Sequence, residues 1–274
     1  SRSNPFVIVA EENAAEDYGK CFGFNLIYSG NHTEICEVNS FGKLRFTTGI
    51  NNVGFSMEVK PGEDFQAPEA VMTFSKNGLN GMSHNMHRFV RENIVRGEWK
   101  YKDKPILLNS WESVYFNFNE NSILRMAKSA KDARIELFVM DDGWFGNRND
   151  DKSSLGDWIV NEKKFPSGLG KLVEKINGIG LSFGIWIEIE MVNEDSNLYR
   201  QHREWVVKNP NRSHSEGRNQ MILDLTRDDV RNYLISSVSD LLNTANIEYV
   251  KWDMNRIFTD YFSTNVDGKQ SEFL

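Results

Sequence analysis

Tyr249-Val250-Lys251-Trp252-Asp253-Met254-Asn255-Arg256 follows a short approach, Asn246-Ile247-Glu248, and reads as a strand that runs into a polar end. Successive side chains of a strand alternate faces, which places Lys251, Asp253 and Asn255 on one side and Trp252 and Met254 on the other. Three polar groups on one face are costly inside a sealed core, because each buried polar group needs a partner. They fit where that face opens onto a site. A carboxylate beside a fixed ammonium stays ionised, and an ionised, positioned carboxylate can act as a nucleophile or stabilise positive charge. An isolated Lys-x-Asp could equally tie off a strand end as an ion pair, so the rest of the chain decides between the two readings.

Upstream of this stretch, strands and helices alternate. Pro105–Asn109 predicts a first strand ending at Ser110-Trp111-Glu112, followed by a helix from about Glu120. That helix carries Ile123, Leu124, Ala127 and Ala130 on one stripe, with Asn119 as N-cap. A second strand, Ile135–Met140, stops at Asp141-Asp142-Gly143-Trp144. Ser167 is placed to cap a helix bearing Leu169, Leu172, Val173 and Ile176, which Asn177-Gly178 ends. The third strand, Leu181–Ile187, runs into Glu188-Ile189-Glu190, where alternation puts both glutamates on the face of Trp186. Thr226-Arg227-Asp228-Asp229 resembles a capping box for a helix carrying Val230, Leu234, Val238 and Leu241.

Four βα steps imply parallel strands with right-handed crossovers. An eight-fold barrel and an open doubly wound sheet both fit. No glycine-rich nucleotide loop follows any strand, which weakens the open sheet. Long polar insertions after strands two and three suit a barrel that builds its pocket from loops. In either architecture the carboxyl ends of the strands carry function, and there fall Trp111, Asp141, Asp142, Trp186, Glu188, Lys251, Asp253 and Asn255. Each has a plainer reading: Asp141-Asp142 before Gly143 can simply cap a turn, and Arg218, in Gly217-Arg218-Asn219-Gln220, is by composition a loop arginine. Carboxylates and tryptophans delivered together to one end form the layout of a sugar site. There carboxylates accept hydrogen bonds from hydroxyls, indoles stack on the C–H face of a ring, and neither metal nor cofactor is required.

Residues 1 to about 100 differ in pattern. Phe6–Val9, Cys21–Tyr28, Thr33–Val38 and Lys43–Thr48 are short strand candidates separated by turn residues, which suggests part of a β-sandwich. A helical or irregular bridge from Met82 to Trp99 leads to the second region, from about 101 to 274. The net charge of −7 argues against general affinity for nucleic acid or anionic membrane, and no run is long and apolar enough to span a bilayer. Cys21 and Cys36 read as free thiols of a reducing, cytoplasmic compartment. His84 and His87 have no further Cys or His clustered nearby and read as packing or surface. The opening Ser1-Arg2-Ser3-Asn4-Pro5 lacks a starting Met and a signal-peptide layout, so a start inside a longer chain is expected.

Leu137-Phe138-Val139-Met140-Asp141-Asp142-Gly143-Trp144-Phe145-Gly146, Leu155-Gly156-Asp157-Trp158, Arg218-Asn219-Gln220 and Lys251-Trp252-Asp253-Met254-Asn255-Arg256 together resemble the retaining α-galactosidases of glycoside hydrolase family 36. Phe24–Asn31 and Gly78–Ser83 are similar to that family's amino-terminal β-sandwich. The resemblance implies the first half of a (β/α)8 barrel preceded by part of the sandwich, an α/β fold. It matches Asp253 to the catalytic nucleophile, and Lys251 and Asn255 to its substrate-binding neighbours. Asp141 and Asp142 match the pair that grips the galactose hydroxyls O4 and O6, Trp186 and Trp111 match pocket tryptophans, and Arg218 matches an arginine near the nucleophile.

By the same resemblance the substrates are α-galactoside oligosaccharides such as melibiose and raffinose, and the full-length protein is a homo-oligomer, commonly a tetramer. The acid/base aspartate lies on a later barrel strand, beyond Leu274, while Asp260 and Asp267 match nothing catalytic. Only four strand candidates follow residue 100, where a closed barrel has eight and about 250 residues. The expectation is a piece of a longer product, inactive by itself. A galactosyltransferase of the raffinose or stachyose synthase type and a non-catalytic sugar-binding module are the alternatives. Ile189 departs from the family, which usually has proline there.

Overall fold

The computed structural model describes residues 4–266 and 270; Asp267 lies outside them. The chain divides into two compact units, one ending at Lys104 and one beginning at Pro105.

In the first unit, β1 (Phe6–Ala10), β2 (Cys21–Leu26) and β5 (Ala70–Ser75) form an antiparallel sheet in the order β1-β2-β5. Helix α1 (Gly78–Phe89) covers it, packing Met82 and Met86 against buried Cys21. Gly23 permits this approach, because a Cβ there would lie 2.9 Å from the Met82 sulfur. A separate hairpin pairs β3 (His32–Val38) with β4 (Leu44–Ile50). Its turn is closed by the Asn39 side chain, which accepts from the amides of Phe41 and Lys43 at 3.0 Å. Both cysteines are free, Cys21 buried and Cys36 exposed. β5 was not anticipated from sequence, and α1 starts at Gly78 rather than Met82; a π turn (Val90–Ile94) and a 3-10 turn (Glu98–Lys100) follow it.

The second unit is built on four parallel strands: β6 (Leu107–Asn109), β7 (Leu137–Met140), β8 (Ser182–Ile187) and β11 (Tyr249–Trp252). Their spatial order, β11-β8-β7-β6, runs monotonically with sequence. A doubly wound sheet reverses order at a switch point, whereas a barrel adds each strand beside the last. The order therefore selects the start of a barrel. β7 and β8 are almost wholly buried, as expected for parallel strands covered on both faces.

Four helices lie between these strands in sequence: α2 (Trp111–Val114), α3 (Glu120–Asp132), α4 (Leu169–Gly178) and α6 (Asp228–Thr244). α3, α4 and α6 pack the stripes Ile123/Ala127/Ala130, Leu172/Val173/Ile176 and Val230/Leu234/Leu241 into one core. The insertion between β8 and α6 adds a ribbon of β9 (Met191–Val192) and β10 (Met221–Ile222), and helix α5 (Asn197–Gln201). Asp157, directly after Gly156, accepts from the amides of Asn197 and Leu198 and so ties that insertion to the loop after β7.

The helix starts divide the expectations. Asn119 caps α3, and Ser122 completes the box by accepting from the Asn119 amide. Asn119→Ala should therefore cost about 1 kcal/mol, read as a lowered urea midpoint. Ser167 does not cap α4; Gly168 holds that position, and the Ser167 amide donates instead to Glu120. The box at Thr226 does not form either. Its hydroxyl donates to Asp224, and Asp229 is taken by Arg227 and its own neighbour Val230. At Ser167 the competing partner is tertiary, whereas at Thr226 partners one or two residues away take both halves of the box.

Candidate active site

At the carboxyl ends of β6, β7, β8 and β11 lies a cavity of about 280 Å³. Trp111, Asp141, Asp142, Trp186, Arg218, Lys251, Asp253 and Asn255 all line it, with Phe116, Arg148, Asp151, Glu188 and Gln220. The sheet register explains the convergence: Lys251 lies beside Trp186 across the β11–β8 ladder, and Met140, beside Ile185, places Asp141 one residue beyond the β7 end.

Asp253 begins the polar end of β11, where its amide still donates to the Ile187 carbonyl at 2.8 Å. Its Oδ2 accepts from Trp186 Nε1 at 3.0 Å and Asn255 Nδ2 at 2.8 Å, with Lys251 Nζ at 3.9 Å. Burial alone would raise this carboxyl, but those donors and the lysine charge outweigh it and hold it below the usual aspartate value. Asn255 is itself fixed, its amide and side chain both donating to Glu188, which also accepts from Gln220 Nε2 at 3.1 Å. Glu188 is almost fully buried, and that burial raises its carboxyl, with the Asp253 charge adding to the effect. Because β8 ends at Ile187, the strand alternation stops there. Glu188 lines the cavity, whereas Glu190 accepts from Trp252 Nε1 at 3.0 Å away from it, a correction to their expected common face.

Lys251 Nζ also donates to Asp141 Oδ2 at 2.8 Å, which Asn109 Nδ2 meets from the end of β6. One ammonium thus links the carboxylates of two strand ends. Asp142 is paired with Arg148, whose Nε and Nη2 approach its oxygens at 2.9 and 2.8 Å. Burial pushes the Asp142 carboxyl up, and Arg148 only partly counters this. The guanidinium is 1% exposed and gives its remaining group to Ser153 O and Asn193 Oδ1. Asn193 in turn donates to the Asn219 carbonyl at 2.6 Å. That bond braces a tight turn in which Arg218 and Asn219 both have positive φ, 54° and 59°, closed by reciprocal Gly217–Gln220 bonds. Non-glycine residues pay for that conformation, so Arg218 is held at the cavity by enforced backbone geometry.

Phe116, Arg148 and Asp151 reach the cavity from loops that carry none of the quoted motifs, and Gln220 lies in the Arg218-Asn219-Gln220 motif with no role assigned to it there. Arg148 carries a weak signal, as one of two cations in the polar run Asn147–Ser154 behind Asp141-Asp142. Outside the cavity, Glu194, His214 and Glu216 bring three possible ligand atoms within 4.8 Å, but His214 already pairs with Glu216 at the surface. Among the described residues no helix is long and apolar enough to cross a membrane.

Parallel strands added in sequence order, with acidic and indole side chains gathered at their carboxyl ends, define the opening of a (β/α)8-barrel protein. Comparison with known proteins agrees. The melibiase profile matches residues 64–273, and the glycosyl hydrolase family 36 N-terminal domain profile matches residues 1–60. The chain belongs to the melibiase family, glycosyl hydrolase family 36. It is 49% identical over 263 residues to alpha-galactosidase AgaA of Geobacillus stearothermophilus, covering 96% of this chain and 36% of that protein. Against alpha-galactosidase Mel36A of Lactobacillus acidophilus the identity is 42% over 267 residues, 97% of this chain and 36% of the relative. The crystal structure of AgaA superposes with a TM-score of 0.94 at 48% identity, covering 98% of this chain and 38% of that one. Variants of that enzyme have been crystallised with raffinose and with stachyose. The chain thus spans little more than a third of the length of these relatives, and its fold is their sandwich strands and the start of their barrel.

Proposed function

We propose that these residues form the nucleophile-bearing, galactose-binding part of a retaining α-galactosidase. The observation that carries the reading is the Asp253 carboxylate, held ionised and aimed by Trp186, Asn255 and Lys251, with Lys251 bridging to Asp141 in the same cavity. Asp253 attacks the anomeric carbon as the glycosidic C–O bond breaks and the leaving oxygen takes a proton from a second carboxyl; water, deprotonated by that same carboxyl, then hydrolyses the glycosyl-enzyme. Asp141 and Asp142 accept from the 4- and 6-hydroxyls, Trp186 and Trp111 wall the ring, and Arg218 and Asn255 lie beside the reacting centre. A retaining enzyme needs a second carboxyl roughly 5–5.5 Å from the first; by the family likeness a later barrel strand supplies it. Raffinose-type oligosaccharides, which the Geobacillus stearothermophilus relative binds, are the substrate class.

Two further features concern the whole protein. Apolar side chains exposed on the β3–β4 hairpin (Ile35, Val38, Phe41 and Leu44) fit a homo-oligomer, and the unpaired cysteines fit a cytoplasmic setting. The test is proton NMR of the full-length protein acting on an aryl α-galactoside and on its C4 epimer, the α-glucoside. The expected result is α-galactose as first product, no detectable glucose, and no turnover by residues 1–274 alone. β-Galactose as first product, or equal use of the glucoside, would contradict it.

A further inference from the structure

Lys164 sits behind the cavity and is about nine-tenths buried. Its ammonium donates to three backbone carbonyls, Gly143 O at 2.8 Å and Phe116 O and Arg148 O at 3.0 Å, and lies 4.7 Å from the centre of the Phe118 ring. An ammonium has three donors and no acceptor, so these bonds use it completely. The carbonyls belong to three separate pieces of the pocket wall. Phe116 follows the short helix that carries Trp111, Gly143 follows Asp141-Asp142, and Arg148 is the partner of Asp142. The lysine backbone is pinned as well: its amide donates to Asn161, and its carbonyl accepts from Glu120 at the start of α3. Its reach is thereby set from a rigid helix end.

A buried charge is expensive unless fully hydrogen-bonded, and a hydrocarbon side chain would fill this space without that cost. The desolvation is visible in the lysine itself, whose pKa falls to about 8 despite the nearby Asp142 charge. The three carbonyls offer no base, and the ammonium has no donor left over. Chemistry on the lysine is therefore not the reason for its placement. Holding the three wall segments in register is.

We infer that Lys164 is a positioning residue for the hydroxyl-gripping side of the sugar cavity, locking the turn that carries Asp141 and Asp142 against Arg148 and the Phe116 wall. This rests on the galactoside reading above. A displacement of about 1 Å at such a wall can cost on the order of 100-fold, so removal of the clamp should be read in ligand affinity.

The experiment measures binding of 1-deoxygalactonojirimycin, and of its analogue lacking the 4- and 6-hydroxyls, to the full-length protein by calorimetry. Wild type, Lys164→Met and Lys164→Gln are compared, with tryptophan fluorescence and circular dichroism reporting folding. Lys164→Met should weaken the parent iminosugar by about 10- to 100-fold and the dideoxy analogue by less than about threefold. Lys164→Gln, which keeps two donors, should fall between. A role confined to stability predicts equal losses for both ligands, and that result in either folded variant, or no loss in either, overturns the inference. Failure of the wild type to bind the parent iminosugar overturns the galactoside reading itself, and this one with it. If Lys164→Met does not fold, Lys164→Gln carries the comparison alone.

Discussion

Asp253→Ala in the full-length protein is expected to lower kcat/KM for an aryl α-galactoside by about 10⁴- to 10⁶-fold, the range found when a covalent nucleophile is removed. The loss should fall on kcat, because the proposed function assigns the ground-state grip on the sugar to Asp141, Asp142 and the indoles. The alanine leaves a space on the face of the ring that the carboxylate occupied, bounded by Trp186 Nε1 and Asn255 Nδ2. Azide entering there attacks the anomeric carbon, the aryl oxide departs from the opposite face, and β-galactosyl azide accumulates. Mass spectrometry and NMR of that product identify the nucleophile independently of the rate. Retention of a tenth or more of wild-type turnover, or an α-configured azide, would remove Asp253 from the role.

The same group has a signed pH dependence. Its folded pKa lies below the usual aspartate value of 3.8. Its contribution to stability is therefore present above that unfolded value and is lost as pH falls through the lower folded one. Glu188 and Asp142 shift the opposite way. Among the three, acidification protonates these two before Asp253.

Arg148→Met carries the second large effect. It leaves Asp142 buried without a counter-ion and strips donors from Asn193 Oδ1 and Ser153 O. Breaking a buried pair by removing one partner costs about 3–5 kcal/mol, chiefly the uncompensated charge that remains. Urea unfolding followed by tryptophan fluorescence should show that loss, together with a raised KM. With the guanidinium gone, Asp142 is protonated more readily, so the deficit should shrink as pH falls through its raised pKa. Arg148→Met combined with Asp142→Leu should recover most of the stability and none of the affinity. A single variant within 1 kcal/mol of wild type, a margin well under that range, would show that the pair adds nothing here.

Much of the architecture could be read locally. Leu137–Met140 and Phe183–Ile187 are apolar runs that each end at an acidic residue, the pattern of strands covered on both faces. The stripes of α3, α4 and α6 repeat at helical spacing. β5 has a weaker local signal: Ala70–Ser75 contains β-formers, but no clear turn separates it from the irregular stretch before it. Strand alternation placed Lys251, Asp253 and Asn255 together, and Asn255 does donate to Asp253. It failed at Glu190, since the alternation depends on a ladder that ends with Ile187.

What the sequence determined by itself is therefore the set of elements and the chemical character of the strand ends, both carried by short-range periodicity. Tertiary structure alone decided the partners. Lys251 meets Asp141 across 110 residues and Trp186 meets Asp253 across 67, pairings that exist only once the strands lie in barrel order. Arg148, Gln220 and Lys164 come from loops with no period to reveal them, and their roles follow from which buried carboxylates and carbonyls the folded walls leave in need of a donor.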